Sequence, residues 1–527
     1  MRRFCLPILT GFFLFTLCCH ASASDPDATI GKQTAKPGFR IIYNDDSGHS
    51  FNGKTPTPED ITRKVDEVAA GGADVLLISA CDQRTYYPSK VWQTHWEGFK
   101  EGDRSFFGDI PEEQIAHRMN YIGNMARLAQ QCDYLETALS RCRQRGIAPG
   151  VTLRMNDMHD APWPSSHLFS RFYKEHPQFH LKPLDGRSWG AKGLDYAHSE
   201  VREHFLAIVR ELAQSYDFDV LELDFLRFPF YFDRNDIDRH CHTMTGFIRE
   251  VRRVLDMTGR RIALIPRVAS SPDTARRLGF DVQAWASEEI VDGITTANFV
   301  ATCWVLAIEE FRELVGPRIA VYAGTDVSAD ERDGLPVRYL PESHEMLRGF
   351  AAGNLAAGAD GIHTFNFFLA RDHRPVTAEE FYGGLREMRS LEHARGKPRI
   401  HLLSAGALMP ECDMPDQIPV SIRSGREQKF EMLLVAEGEG AEVTVLVYFD
   451  GENGPDDMWL RIGLHSGSHA VEIREGPKGK KSDTASRQSK IAVFNVPANV
   501  ITDGRNELVI RSDRVSTTIL GIDVHVR

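Results

Sequence analysis

Phe218-Asp219-Val220-Leu221-Glu222-Leu223-Asp224-Phe225-Leu226-Arg227-Phe228-Pro229 reads as a short buried strand that runs into an aromatic, polar loop. Side chains alternate along a strand, so Val220, Glu222 and Asp224 share one face and Leu221 and Leu223 the other. The leucine face suits a covering layer of helices. Two carboxylates on the opposite face repel each other and are costly to desolvate unless a cation such as Arg227 or Arg154 offsets them. Chemistry explains acids in such a place better than packing does.

Outward from this stretch the same unit recurs. Short aliphatic runs lie at 40–44, 74–79, 147–154, 219–224, 262–267, 292–297, 318–323 and 360–366, and stretches of helical period separate them. Val201, Phe205, Ile208, Val209 and Leu212 stripe one helix, and Thr57-Pro58-Glu59-Asp60 opens another with an N-cap and proline at the first helical position. Eight strand–helix repeats predict an α/β chain closed into a (β/α)8 TIM barrel over 39–398, with an open doubly wound sheet as the alternative. After Arg399 the pattern changes. Runs at 429–436, 442–449, 459–464, 469–474, 490–496, 507–511 and 518–526 are separated by turns such as Asp450-Gly451-Glu452-Asn453-Gly454, which predicts an antiparallel, jelly-roll-like β-sandwich over 399–527.

The first 23 residues have the pattern of a signal peptide. Arg2 and Arg3 precede an apolar run, and Ala21-Ser22-Ala23 supplies a small-residue cleavage site before a polar leader at 24–38. The run is short for a membrane span, so an exported protein, periplasmic or extracellular, is expected, with a lipid anchor at Cys18 or Cys19 as the alternative. The formal charge is −12, and cleavage removes two arginines and no acid. Such a chain is not built to hold nucleic acid through phosphate contacts. Cys81, Cys132, Cys142, Cys241, Cys303 and Cys412 lie beyond the signal without C-x-x-C spacing, so free thiols with at most one disulfide are expected.

Barrel chemistry sits at the C-terminal ends of the strands and in the loops that follow. The fourth run places Asp224, Glu222 and Arg227 there. The third ends in Arg154, Asn156 and Asp157, and the first contributes Asp45. Arg267, Asn298 and Asp326 end the fifth, sixth and seventh, and His363 and Asn366 lie in the eighth. Trp96 and Trp304, with other rings including Trp189 and Phe230, occupy the same loops, where flat amphipathic faces suit pyranose rings. The chain has no H-x-H on its first strand, no glycine-rich phosphate loop and no G-x-S-x-G elbow, so neither a metal nor a cofactor is expected.

An ordered series carries a family resemblance. His176-Pro177-Gln178-Phe179, Leu194-Asp195-Tyr196, Glu200-Val201-Arg202 and then 219–229 resemble the glycosyl-hydrolase-like family 10 barrels and related bacterial glycoside-hydrolase-type barrels; Pro266-Arg267-Val268 and Gly279-Phe280-Asp281-Val282 look similar too. The likeness spans most of 39–395. It implies a glycoside-hydrolase-type barrel in which Asp224 is a site residue. Val220-Leu221-Glu222 departs from the family pattern, which makes Glu222 distinctive.

These readings converge on cleavage of a glycosidic bond in a poly- or oligosaccharide by two carboxyl groups. Asp224 is expected as nucleophile or base, and Asp326 as acid with Glu222 as second choice. Arg154, Asn156, Asp157, Arg227, Arg267, Asn298, His363, Asn366, Asp45, Trp96 and Trp304 are expected to bind substrate. A non-catalytic carbohydrate-binding barrel and a polysaccharide lyase remain open as alternatives.

Overall fold

The structure, a computed structural model, describes residues 36–182, 192–326, 328–329, 335, 338–369, 377–409, 411–438, 440–450, 458–463, 465–467, 472–478 and 488–527. The signal peptide, nearly all of the leader and Trp189 lie outside the described residues.

Buried runs free of helix-period polarity become parallel strands. They are β1 (Ile41–Asp45), β2 (Val75–Cys81), β3 (Ala148–Arg154), β4 (Val220–Asp224), β5 (Ala263–Leu264), β6 (Arg267–Val268), β7 (Gly293–Thr296) and β8 (Ala320–Thr325). A short hairpin of β9 (Ser328–Ala329) and β10 (Arg338–Tyr339) follows, and then β11 (Gly361–Thr364). The order β3-β2-β1-β11-β8-β7-β6-β4 is closed by pairing of β3 with β4, giving an eight-position barrel. One expected strand is split into β5 and β6 around Pro266, which has no N–H to donate to a ladder.

Alternation then sorts the side chains. Ile42, Val75, Leu77, Val220, Ile265, Ala320 and Tyr322 pack together inside the barrel, whereas Ile41, Tyr43, Leu221 and Leu223 join the core shared with the helices. The helix Pro58–Ala70 starts at the expected place: Thr57 and Asp60 form a reciprocal capping box around Pro58.

The C-terminal strands are β12 (Arg399–Leu403), β13 (Val420–Ile422), β14 (Glu427–Leu434), β15 (Glu442–Asp450), β16 (Trp459–Ile462), β17 (His465–Gly467), β18 (Glu472–Lys478), β19 (Gln488–Pro497), β20 (Gly504–Arg511) and β21 (Thr517–Val526). They form two antiparallel sheets, β12-β21-β15-β19-β18 with β13 on β21, and β14-β20-β16-β17. The sequence pattern missed β12 and β13, both short and lying among loop-like residues. The sandwich is seated on the helix His344–Ala356. Gly349 and Gly353, one turn apart, lie under the carbonyls of Ile400 and Leu433, where a Cβ would collide with backbone.

The segment between β12 and β13 crosses back over the loops at the C-terminal end of the barrel. Ser270 Oγ donates to Cys412 O (3.2 Å) and accepts from Met414 N (2.8 Å). Phe299 N donates to Asp413 Oδ1 (2.8 Å), and Arg234 pairs with Glu411 at 2.9 Å. Burial pushes the Asp413 carboxyl up to about 6.

Candidate active site

Two polar layers cross the barrel interior, and β4 contributes an acid to each. In the deeper layer Glu222 is completely buried. Its Oε1 accepts from Asn44 Nδ2 (2.7 Å) and Thr152 Oγ1 (2.9 Å), and Oε2 lies 2.7 Å from His363 Nε2. Asn44, Thr152 and His363 come from β1, β3 and β11, so this layer ties strands together. Glu222, expected as an alternative acid, and His363, expected to bind substrate, face each other in the barrel interior, and neither side chain reaches solvent.

The upper layer is built differently. Asp224 Oδ1 accepts from Arg267 Nη1 (2.9 Å) and from the backbone N–H groups of Leu226 (3.0 Å) and Arg227 (3.2 Å). Its Oδ2 has no partner among the described residues, although the residue is only 1% exposed. The Arg267 guanidinium lies 4.0 Å from the Phe365 ring centroid, and its Nη2 donates to Phe299 O (3.2 Å). Arg154 pairs with Asp46 and, at 3.1 Å, with Asp157. Beyond β8, Asn366 Nδ2 donates to Asp326 Oδ2 (3.0 Å).

A histidine stands at the rim. His159 Nδ1 is 2.7 Å from Asp157 Oδ1, and its Nε2 is 2.6 Å from Arg227 Nη2. Arginine only donates, so Nε2 accepts and the ring proton sits on Nδ1, facing Asp157. The His159 side chain is 38% exposed, and its ring meets Phe228 edge-on at 5.1 Å. Burial alone would raise the Asp157 carboxyl, but His159, Arg154 and Arg227 together hold it below the usual carboxylate range. Burial, reinforced by the nearby Arg227, lowers Arg154 to about 10. Arg227 is also lowered by burial, against the opposing pull of Asp157, Asp224 and Asp326.

The backbone is unusual here too. Among the described residues four non-glycines have positive φ, and three of them follow barrel strands: Ser47 (56°), Phe228 (66°) and Asn366 (52°). Such conformations cost energy and concentrate where a site dictates backbone path.

Other expected binders make contacts within the fold. Asp45 faces the helix layer, where Lys64 Nζ donates to it at 2.7 Å. Asn156 spends its amide on the backbone: Nδ2 donates to Leu194 O (3.0 Å) and Phe230 O (2.7 Å), and Oδ1 accepts from Leu194 N (2.9 Å). Asn298 Nδ2 donates to Gly406 O (3.0 Å) of the segment between β12 and β13. Trp304 is buried edge-on against Phe350 at 5.6 Å, and the half-buried Trp96 packs against the core. Arg154, Asp157, Asp224, Arg227, Arg267, Asp326 and Asn366 are the expected residues that gather at the mouth.

Asp46, His159 and Phe365 were not singled out beforehand. Asp46 was legible, since it continues the inward alternation of Ile42 and Asn44. His159 and Phe365 required knowledge of loop path. The residues that carry the family resemblance prove to be scaffolding of the long loop after β3: Asp195 N donates to Phe179 O (2.7 Å), and Tyr196 OH donates to Met155 O (2.6 Å).

No family model matches the chain, and no curated protein matches it. Solved structures resemble it weakly. Alpha-L-fucosidase isoenzyme 2 from Paenibacillus thiaminolyticus is 11% identical with a TM-score of 0.43, over 68% of this chain and 51% of that one. This chain therefore spans about half the length of the fucosidase. The PgaB (BpsB) glycoside hydrolase domain from Bordetella bronchiseptica is 11% identical with a TM-score of 0.42, over 67% of this chain and 99% of the domain. The alpha-amylase from Geobacillus thermoleovorans is 12% identical with a TM-score of 0.38, over 91% of this chain and all of the enzyme.

Among the described residues, no group of three or more His, Cys, Asp or Glu is disposed to hold a metal ion, and no helix is long and apolar enough to cross a membrane. A cavity of about 380 Å³ opens on the outer side of the loop after β4, lined by Pro229, Phe230, Tyr231, Phe232, Arg234 and Glu411 among others.

Proposed function

We propose that this chain is an exported glycoside hydrolase acting on a poly- or oligosaccharide, with Asp224 as nucleophile or base and Asp326 as acid. The observation that carries the reading is the state of Asp224. One oxygen is pinned by Arg267 and two backbone N–H groups, and the other, Oδ2, has no hydrogen-bond partner among the described residues. A carboxylate held this way stays oriented while keeping one oxygen for reaction. As Oδ2, or a water it activates, bonds to the anomeric carbon, the bond to the glycosidic oxygen breaks. That oxygen leaves with the electron pair and takes a proton from Asp326. A carboxyl separation of about 5–5.5 Å gives retention and about 6.5–9.5 Å inversion. Because Asp224 is so deeply buried, the His159–Arg227 contact has to open for a sugar to reach it. The aromatic-walled cavity beside the mouth suits the remainder of a glycan chain. The charged N-terminus, apolar run and Ala-Ser-Ala site support export.

The test is product release from a panel of oligosaccharides by wild type, Asp224→Asn and Asp326→Asn. Loss of about a thousandfold in kcat for either variant, with binding retained, supports the assignment. Equal absence of turnover in all three, with binding retained, points instead to a non-catalytic carbohydrate-binding barrel.

One observation favours a second reading. Asp157 fixes the proton of His159 on Nδ1 and leaves Nε2 basic, with Arg154 and Arg227 close by. In a lyase acting on a uronate, His159 Nε2 takes the C5 proton, the C4–O bond breaks and a C4–C5 double bond forms, while the arginines hold the carboxylate. Near-ultraviolet absorbance of the product, with no water consumed, distinguishes this reaction from hydrolysis.

A further inference from the structure

We propose that the β-sandwich is a positioning domain for the barrel mouth: its larger sheet grips the hairpin that follows β8 and thereby places Asp326. The inference rests on the assignment of Asp326 to the site.

The grip has an ionic part and an apolar part. Arg338, on β10, donates through Nη1 to both oxygens of Asp523 on β21, at 2.8 and 2.7 Å. Tyr448 OH, on β15, donates to Asp523 Oδ2 at 2.8 Å, and the Arg338 guanidinium lies 5.9 Å from the Tyr448 ring centroid. Asp523 is 2% exposed, so this ion pair sits where solvent screens it little. Burial pulls the Asp523 carboxyl up, but Arg338 and His525 outweigh it and hold the group below its usual range. Leu335 enters a socket formed by Leu446, Tyr448, Ile491, Val493 and Leu520. Its Cδ1 lies 2.6 Å from where a Cβ of Gly521 would stand, so a side chain at 521 would displace it.

The connection to Asp326 is short. Arg338 and Tyr339 pair antiparallel with Ala329 and Ser328, and Ser328 is two residues after Asp326. From the barrel side Asp326 is held by Asn366 and, through its backbone carbonyl, by Thr302 Oγ1 at 2.9 Å. The hairpin is thus clamped between barrel and sandwich. Because Gly349 and Gly353 seat the sandwich directly on the helix His344–Ala356, the clamp has a rigid base.

The experiment uses the full chain and the variants Asp523→Asn and Leu335→Ala, with hydrogen–deuterium exchange read on peptides covering 320–340 and turnover measured on whichever glycan wild type cleaves. Expected are about tenfold faster exchange in 320–340, unchanged exchange in β1–β4, and kcat about tenfold lower with KM within twofold. Tyr448→Phe, which keeps the ring and removes one hydrogen bond, should show a smaller change in the same direction. Unchanged exchange in 320–340 overturns the grip. Faster exchange with unaltered kcat overturns the positioning role. If wild type cleaves no glycan, the hydrolase assignment fails and the positioning role falls with it.

Discussion

Glu222 and Asp224 stand two residues apart on one strand, face the same way and are both almost sealed from solvent, yet they occupy different chemical situations. Glu222 is surrounded by side chains from three other strands: Asn44 and Thr152 donate to one oxygen, and His363 Nε2 lies 2.7 Å from the other without hydrogen-bond geometry. Asp224 is held through one oxygen by Arg267 and two backbone N–H groups of the loop after β4, and its other oxygen has no hydrogen-bond partner among the described residues. One layer of barrel height separates a side chain that ties strands together from the one proposed to react. Burial alone therefore does not distinguish the two. The partner set does: other strands' side chains around Glu222, and an arginine with loop backbone around Asp224.

The sharpest way to break this comparison is to neutralise each acid in turn. Asp224→Asn should lower kcat by about a thousandfold while the chain stays folded, measured by product release and thermal melting. Glu222→Gln should do the reverse. It leaves His363 without its buried partner and should cost about 3–5 kcal/mol in denaturant unfolding, with turnover per folded molecule changed by no more than a few-fold. If Glu222→Gln abolishes turnover in well-folded protein, the two layers are not functionally distinct.

A smaller effect sharpens the boundary of the upper layer. Asn156→Ala strands the backbone groups of Leu194 and Phe230, and should cost about 1–3 kcal/mol of stability. Turnover should fall only in so far as the loops after β3 and β4 loosen, and chemical denaturation alongside kinetics separates the two.

The smallest expected effect depends on pH. The native carboxyl of Asp523 is held below its unfolded value, so in the window between them the unfolded chain binds more protons and stability rises with pH. The contribution is present above about pH 4 and is lost as pH falls through the native value. The gap in melting temperature between wild type and Asp523→Asn should therefore be open at neutral pH and close below about pH 4.

Much of the architecture was legible because it depends on local periodicity. The eight strand positions, the capped helix at Pro58 and most sandwich strands follow from alternation, helical spacing and turn residues. Short elements escaped: β12 and β13 because their partner β21 is about a hundred residues away, and the β9–β10 hairpin because two-residue strands carry no alternation to read. The candidate site was only partly legible. Arg154, Asp224, Arg267 and Asp326 could be placed at strand ends by counting. Asn156, Asn298, Asp45 and Trp304 share the same polar or aromatic signature, yet are spent on backbone, on a lysine and on packing.

By itself the sequence determined which residues alternate, which face each carboxylate of β4 takes, and that a barrel precedes an all-β region. These depend on the two-residue repeat of a strand and the 3.6-residue repeat of a helix, both written into neighbouring positions. Only the tertiary structure decided which polar groups meet, because a hydrogen bond between β1 and β4 or between β10 and β21 depends on chain closure across more than a hundred residues. Whether an acid has a lone pair to spare is a property of those distant partners, and no local pattern encodes it.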